Sequence, residues 1–227
     1  LQQTYQESYL LVLDDAGQYE EQTHDRWRLV SAPQRYSCIG AKRQAGIEML
    51  PPDCQGYLCW DDDDVYWPHA VASVAAALQQ KAWAQCRLVY ETAPDGALAI
   101  TPAFGRNRSS AANPPEWGYG GCWAYRLKEL RKLGGYLQHS QQCSDDRELA
   151  EKFLAGYGAS ADSTSNGNPW YWYNRDPGVN HLSNEGLNFW DIRAGLPLQE
   201  IAAPPVGWNG RNLYQSSVLA DVQPRPF

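Results

Sequence analysis

Gly56-Tyr57-Leu58-Cys59-Trp60-Asp61-Asp62-Asp63-Asp64 runs a short apolar strand straight into four carboxylates. Four acids in a row repel one another, so they belong on a solvated loop or around a cation. Their place after a strand matters, because open α/β sheets bind ligands outside the carboxyl ends of their strands. Oxygen-only donors at such a spot suit Mg2+ or Mn2+. In an extended chain Asp61 and Asp63 point one way and Asp62 and Asp64 the other. One pair can then face a ligand while Asp64 helps start the helix expected after Pro68.

On either side, apolar runs alternate with helical patterns. Tyr9–Leu13 reads as a buried strand ending at Asp14-Asp15, and Arg28–Ser31 as a second strand. Ser37–Leu50 reads as a helix with Ser37 as its candidate cap. Ala70, Val71, Val74, Ala75 and Leu78 recur at helical spacing. Further strands are expected at Cys86–Glu91, Cys122–Tyr125 and Trp170–Tyr173, with a hairpin near Leu98–Thr101. Helices are expected at Leu127–Leu133 and Asp145–Leu154. Gly156–Asn168, small and polar, reads as a lid-like loop, and the Pro-rich stretch from Gly195 as an extended tail. This strand–helix–strand rhythm predicts an α/β sheet with parallel pairs. No linker divides the 227 residues, so a single domain is expected.

Hydrophobic residues make up 43% and charged residues 20%, which excludes a disordered chain. No apolar run approaches the ~18 residues of a membrane span. Leu1–Leu10 has neither the basic start nor the apolar middle of a signal peptide. A net charge of −7 disfavours a broad nucleic-acid surface. Arg106, Arg108, Arg126, Lys128, Arg131 and Lys132 could still line a local basic groove. Six cysteines with no CxxC pair read as reduced thiols, three of them in apolar runs, and predict a cytoplasmic protein. Ten Trp and 14 Tyr against 4 Phe serve core packing or a sugar-stacking surface.

The segment Trp60–Asp64, with Tyr66 and Pro68, resembles the DxD segment of GT-A-fold glycosyltransferases, family 2 in particular, including short viral and bacterial members. Three more segments are similar to that family's motifs, in the same order. They are Gln3-Thr4-Tyr5 with Tyr9–Gly17, then Ile39–Arg43 with Gly46, then Gly120–Arg126 with Gly134-Gly135 and Ser144-Asp145-Asp146. Each motif is weak alone; four in order over roughly residues 1–155 are specific.

The resemblance implies a GT-A fold, a Rossmann-like, mixed but mostly parallel sheet flanked by helices. Residues 1–90 would be the nucleotide-binding half, and 91–227 the acceptor half plus a C-terminal extension. The family's first strand, turn and helix would precede Leu1, roughly 25–30 residues at ordinary lengths. The implied activity is that of a hexosyltransferase. It is metal-dependent and inverting, moving sugar from a nucleotide-diphosphate sugar to a hydroxyl acceptor. Asp14 or Asp15 would hold the nucleotide base, and Arg43, with Lys42, would sit near the base or diphosphate. Asp61, Asp62 and Asp63 would take the ribose and the cation (Mn2+ or Mg2+), with His181 completing the metal shell. Gly120 and Gly121 would let backbone approach the donor sugar, and Asp146, or its neighbour Asp145, would be the catalytic base. Two alternatives accompany this reading. One is glycosylation of hydroxymethylated bases in DNA. The other is a non-catalytic module stacking sugars on Trp60, Trp67, Trp117, Trp123, Trp170 and Trp172.

Overall fold

The computed structural model describes residues 3–33, 35–61, 64–92, 98–103, 120–136, 145–164, 167–173 and 199–200. These form a mixed α/β chain with three sheets. β1 (Leu10–Asp14) runs parallel to β3 (Trp27–Ser31), whose other edge carries antiparallel β2 (Gln22–His24). The second sheet is built from β4 (Gly56–Leu58), β6 (Trp83–Gln85), β9 (Trp123–Arg126) and β10 (Ala161–Asp162), in the order β10-β6-β9-β4. The third contains β5 (Val65–Tyr66), β7 (Leu88–Thr92), β8 (Leu98–Pro102), β11 (Tyr171–Tyr173) and β12 (Gln199–Glu200), in the order β12-β8-β7-β11-β5. The helices are α1 (Ile39–Glu48), α2 (Ala70–Gln80), α3 (Leu127–Lys132) and α4 (Asp145–Tyr157).

The expectation of a mostly parallel sheet is corrected here. Only β1–β3, β6–β10 and β7–β11 pair in parallel among the described residues, and six pairings are antiparallel. β7 pairs with β8 as the expected hairpin, and β9 runs between β4 and β6 against both. That last arrangement places the start of β9 beside the end of β4, which positions the site.

Aromatic side chains build the core. Trp83, Trp123, Tyr125, Phe153, Trp170 and Tyr171 are all buried, with Tyr125 and Phe153 ring centroids 4.7 Å apart. α2 adds Ala70, Val74, Ala77 and Leu78, a stripe at i, i+4, i+7 and i+8. Ala77 thus takes the inner position that Ala75 was expected to share. The burial of Trp123, Trp170 and Trp172 removes half of the sugar-stacking surface; Trp67 is half-buried, Trp60 is exposed, and Trp117 lies outside the described residues.

Two local expectations shift. α1 is capped by Cys38, whose sulfur accepts the Ala41 N–H at 3.4 Å, so the cap lies one residue beyond Ser37. The described part of the expected lid is instead fixed into the sheet. Ala161–Asp162 pair with β6, and the Ser163 N–H donates to the Gln85 carbonyl at 2.9 Å. The Trp170 indole N–H donates to the Ser163 carbonyl at 3.0 Å. Cys38, Cys54, Cys59, Cys86 and Cys122 form no disulfide, the last three are buried as expected, and Cys143 lies outside the described residues. No helix among the described residues is long and apolar enough to cross a membrane.

Candidate active site

Two adjacent residues of α1 organise the site. Consecutive helical residues point about 100° apart, so Lys42 and Arg43 reach different strand ends. Lys42 Nζ lies 2.8 Å from Asp15 Oδ1, just past β1. Arg43 donates to Asp61 Oδ1 at 3.1 Å, just past β4, and also to Asp146 Oδ1 in the first turn of α4. One planar fork thus joins two carboxylates brought together from distant parts of the chain. The Arg43 side chain keeps 14% exposure, while Asp61 and Asp146 keep 33% and 29%, so the acids are more open to solvent than the cation that joins them.

Burial works against the charged form of Arg43. The acidic groups around it (Cys59, Asp146, Tyr136 and Asp61) outweigh burial and raise its pKa well above the ordinary guanidinium value; at ordinary pH the two carboxylates are the partners of its charge. The Cys59 thiol is itself pushed far up by burial, and Tyr136 also by burial, so both are neutral neighbours at ordinary pH. The Tyr136 ring lies under the guanidinium, 5.7 Å from centroid to Cζ.

Gly120 and Gly121 enter β9 where it meets the end of β4. A Cβ on Gly120 would collide with the Asp146 carboxylate. One on Gly121 would sit 2.7 Å from Asp61 Oδ2 and 2.8 Å from the Tyr66 hydroxyl. The glycine pair therefore leaves the room in which the two carboxylates stand. Tyr66 ties the same corner together: its hydroxyl accepts the Asp61 N–H at 2.9 Å and donates to the Gly121 carbonyl at 2.9 Å. Burial raises its pKa well above the ordinary phenol range, so it stays a donor.

Asp14 and Asp15 separate clearly. The Asp14 carboxylate accepts from the N–H groups of Ala16, Gln18 and Tyr19 and from the Ser31 hydroxyl. Partial burial raises its pKa, but these four bonds prevail and bring it below 3.8. Asp14 therefore shapes its own loop, and Asp15, with Lys42, is the acid presented at the end of β1.

Asp145 is the first residue of α4. Asp62, Asp63 and His181 lie outside the described residues. Asp64 does not start α2, which follows His69; it is buried and accepts a hydrogen bond from the Tyr171 hydroxyl. Among the described residues no three His, Cys, Asp or Glu side chains are grouped to hold a metal, and Asp61 already shares Arg43. The described residues do not by themselves form a metal centre. Tyr66 belongs to the acidic motif, and its place five residues after Asp61 is the only sequence signal of its role in the site. In the expected basic groove, Arg126 turns inward to the Leu78 carbonyl, Lys128, Arg131 and Lys132 are exposed, and Arg106 and Arg108 lie outside the described residues.

No family profile matches this chain, and no curated protein matches its sequence. The fold is similar to that of S. aureus TarS, solved as residues 1–349 in complex with UDP-GlcNAc, with a TM-score of 0.59. The two share 12% identity over 84% of this chain, which spans 57% of the TarS chain. At that identity the likeness shows the fold alone.

Proposed function

We propose that this chain is a GT-A-type glycosyltransferase of the family 2 kind, moving a hexose from a nucleotide-diphosphate sugar to a hydroxyl acceptor with inversion. The observation carrying this reading is the Arg43 bridge between Asp61 and Asp146 beside Gly120-Gly121, in a chain with the fold of TarS, which was crystallised with UDP-GlcNAc.

The acceptor oxygen bonds to the anomeric carbon as the bond to the diphosphate breaks, and the diphosphate gains charge. Arg43 is the fixed cation at that point and stabilises the departing charge. Asp146 takes the acceptor's hydroxyl proton. In the resting site Asp146 is paired with Arg43. A diphosphate drawing on Arg43 loosens that pair, so the base is released when the donor is in place. Asp15 and Lys42, at the neighbouring strand end, face the nucleoside. Attack from the side opposite the leaving group inverts the anomeric centre. A cation belongs to the proposal on sequence grounds: Asp61, Asp63 and His181 would hold Mn2+ or Mg2+, which when bound neutralises diphosphate charge. The buried cysteines outside any disulfide fit a reducing, cytoplasmic setting.

The test incubates the full chain with UDP-, GDP- and dTDP-sugars, with Mn2+ or Mg2+. Oligosaccharides or hydroxymethylated DNA serve as acceptors, and nucleoside diphosphate release is followed. Release with a saccharide acceptor, lost in EDTA and restored by the cation, is expected. Release only with DNA changes the acceptor, release unaffected by EDTA removes the cation, and no release with any donor ends the reading.

A further inference from the structure

Trp60 is the one large apolar side chain left exposed among the described residues, at 40%. One face of its indole stacks on Tyr66, with centroids 3.9 Å apart and planes 21° apart. Tyr66 is buried, pinned through its hydroxyl to Asp61 and Gly121, and packed by the Tyr171 ring at 5.4 Å. The indole thus rests on a fixed base. Exposing it forgoes the burial free energy that the core tryptophans gain. Trp60 also immediately precedes Asp61, which shares Arg43 with Asp146.

A flat apolar face stacked on the tyrosine that also holds Asp61, a partly exposed carboxylate, has a specific chemical complement. A pyranose ring lays the C–H groups of one face on an aromatic surface and offers hydroxyl donors around its rim to carboxylate acceptors. A purely apolar partner would strip water from those partly exposed carboxylates and offer no hydrogen bond in return. A nucleobase can stack as well, but Asp15 and Lys42 offer it a place at the end of β1.

We infer that Trp60 is the stacking platform for a pyranose ring of the substrate and helps set which sugar face is accepted. The inference rests on the transferase reading for its place in a reaction, and on the Trp60 geometry for binding. The ring belongs to the donor sugar or to a saccharide acceptor, and the two are separable.

Calorimetry on the full chain would use UDP, UDP-GlcNAc, methyl β-D-glucopyranoside and methyl β-D-galactopyranoside as probes, with wild type, Trp60→Leu and Trp60→Phe. Leu keeps apolar bulk without a flat face; Phe restores one. Trp60→Leu is expected to weaken a pyranose probe about ten-fold, Trp60→Phe to stay within about three-fold of wild type, and UDP to bind all three alike. A loss for UDP-GlcNAc relative to UDP assigns the ring to the donor, and a loss confined to the methyl glycosides assigns it to the acceptor. Equal pyranose affinity in wild type and Trp60→Leu, or no pyranose binding by wild type, overturns the inference. Should Trp60→Leu fail to fold, protection of Trp60 in wild type from N-bromosuccinimide by the same glycosides decides; unprotected oxidation overturns it. Trp60-dependent pyranose binding without nucleotide-sugar turnover sinks the transferase reading alone. Turnover with Trp60-independent sugar binding sinks this inference alone.

Discussion

Arg43 holds two carboxylates that would otherwise repel each other across the site. Lysine in its place keeps the charge but cannot span both with one planar fork. Arg43→Lys is therefore expected to lower kcat by roughly 10²-fold and weaken donor binding, read by steady-state kinetics and calorimetry. Unchanged kinetics in that variant would remove Arg43 from the mechanism. The family resemblance implies Arg43 near the donor's base or diphosphate, but its link to Asp146 spans 103 positions, and no local spacing encodes that. Asp14 was equally ambiguous, because an acid at a strand end looks the same whether it faces a ligand or its own loop. Its bonds now give a pH signature. The folded chain holds Asp14 below 3.8, so the unfolded chain takes the proton first. Its stabilisation is complete above about pH 4 and is lost as pH falls through the lower folded value. The melting-temperature gap between wild type and Asp14→Asn should narrow from pH 5 to pH 2.5, at roughly those limits; a gap constant across that range contradicts the assignment.

At the scale of elements, the site depends on β9 running antiparallel beside β4, which brings Gly120-Gly121 against the acids of two other segments. Gly121→Ala puts a methyl into the space of Asp61 and Tyr66. The expected result is a roughly 10²-fold fall in kcat from ångström-scale displacement, with the fold retained as judged by circular dichroism. A fully active Gly121→Ala enzyme would show that the carboxylate positions do not matter. Strands β1, β3, β7 and β9 and all four helices were legible from apolar runs and periodicity. β5 was not, because two residues carry no period of their own. Gly156–Asn168 reads as a lid because small polar residues usually mark loops. Here Ser160 and Ser163 are polar because buried sheet and indole groups need hydrogen-bond partners.

For the whole molecule, the Trp- and Tyr-rich composition suited a packed core or a sugar-stacking surface, and Trp83, Trp123 and Trp170 pack in the core. The balance of parallel and antiparallel pairing was not legible, since it is set by contacts between distant strands rather than by any one strand's residues. The meeting of α1, β4, β9 and α4 at one set of carboxylates, in a fold similar to that of TarS, supports the central proposal that Asp146 is the base of a sugar transfer. The most direct measurement compares donor affinity and nucleoside diphosphate release in wild type, Asp146→Asn and Asp145→Asn. Asparagine at 146 keeps the shape and removes the proton acceptor. Turnover should fall roughly 10²–10⁴-fold, with donor binding as tight as wild type or tighter, because Arg43 is freed for the diphosphate. Wild-type turnover in Asp146→Asn would contradict the account, and collapse in Asp145→Asn alone would move the base to its neighbour.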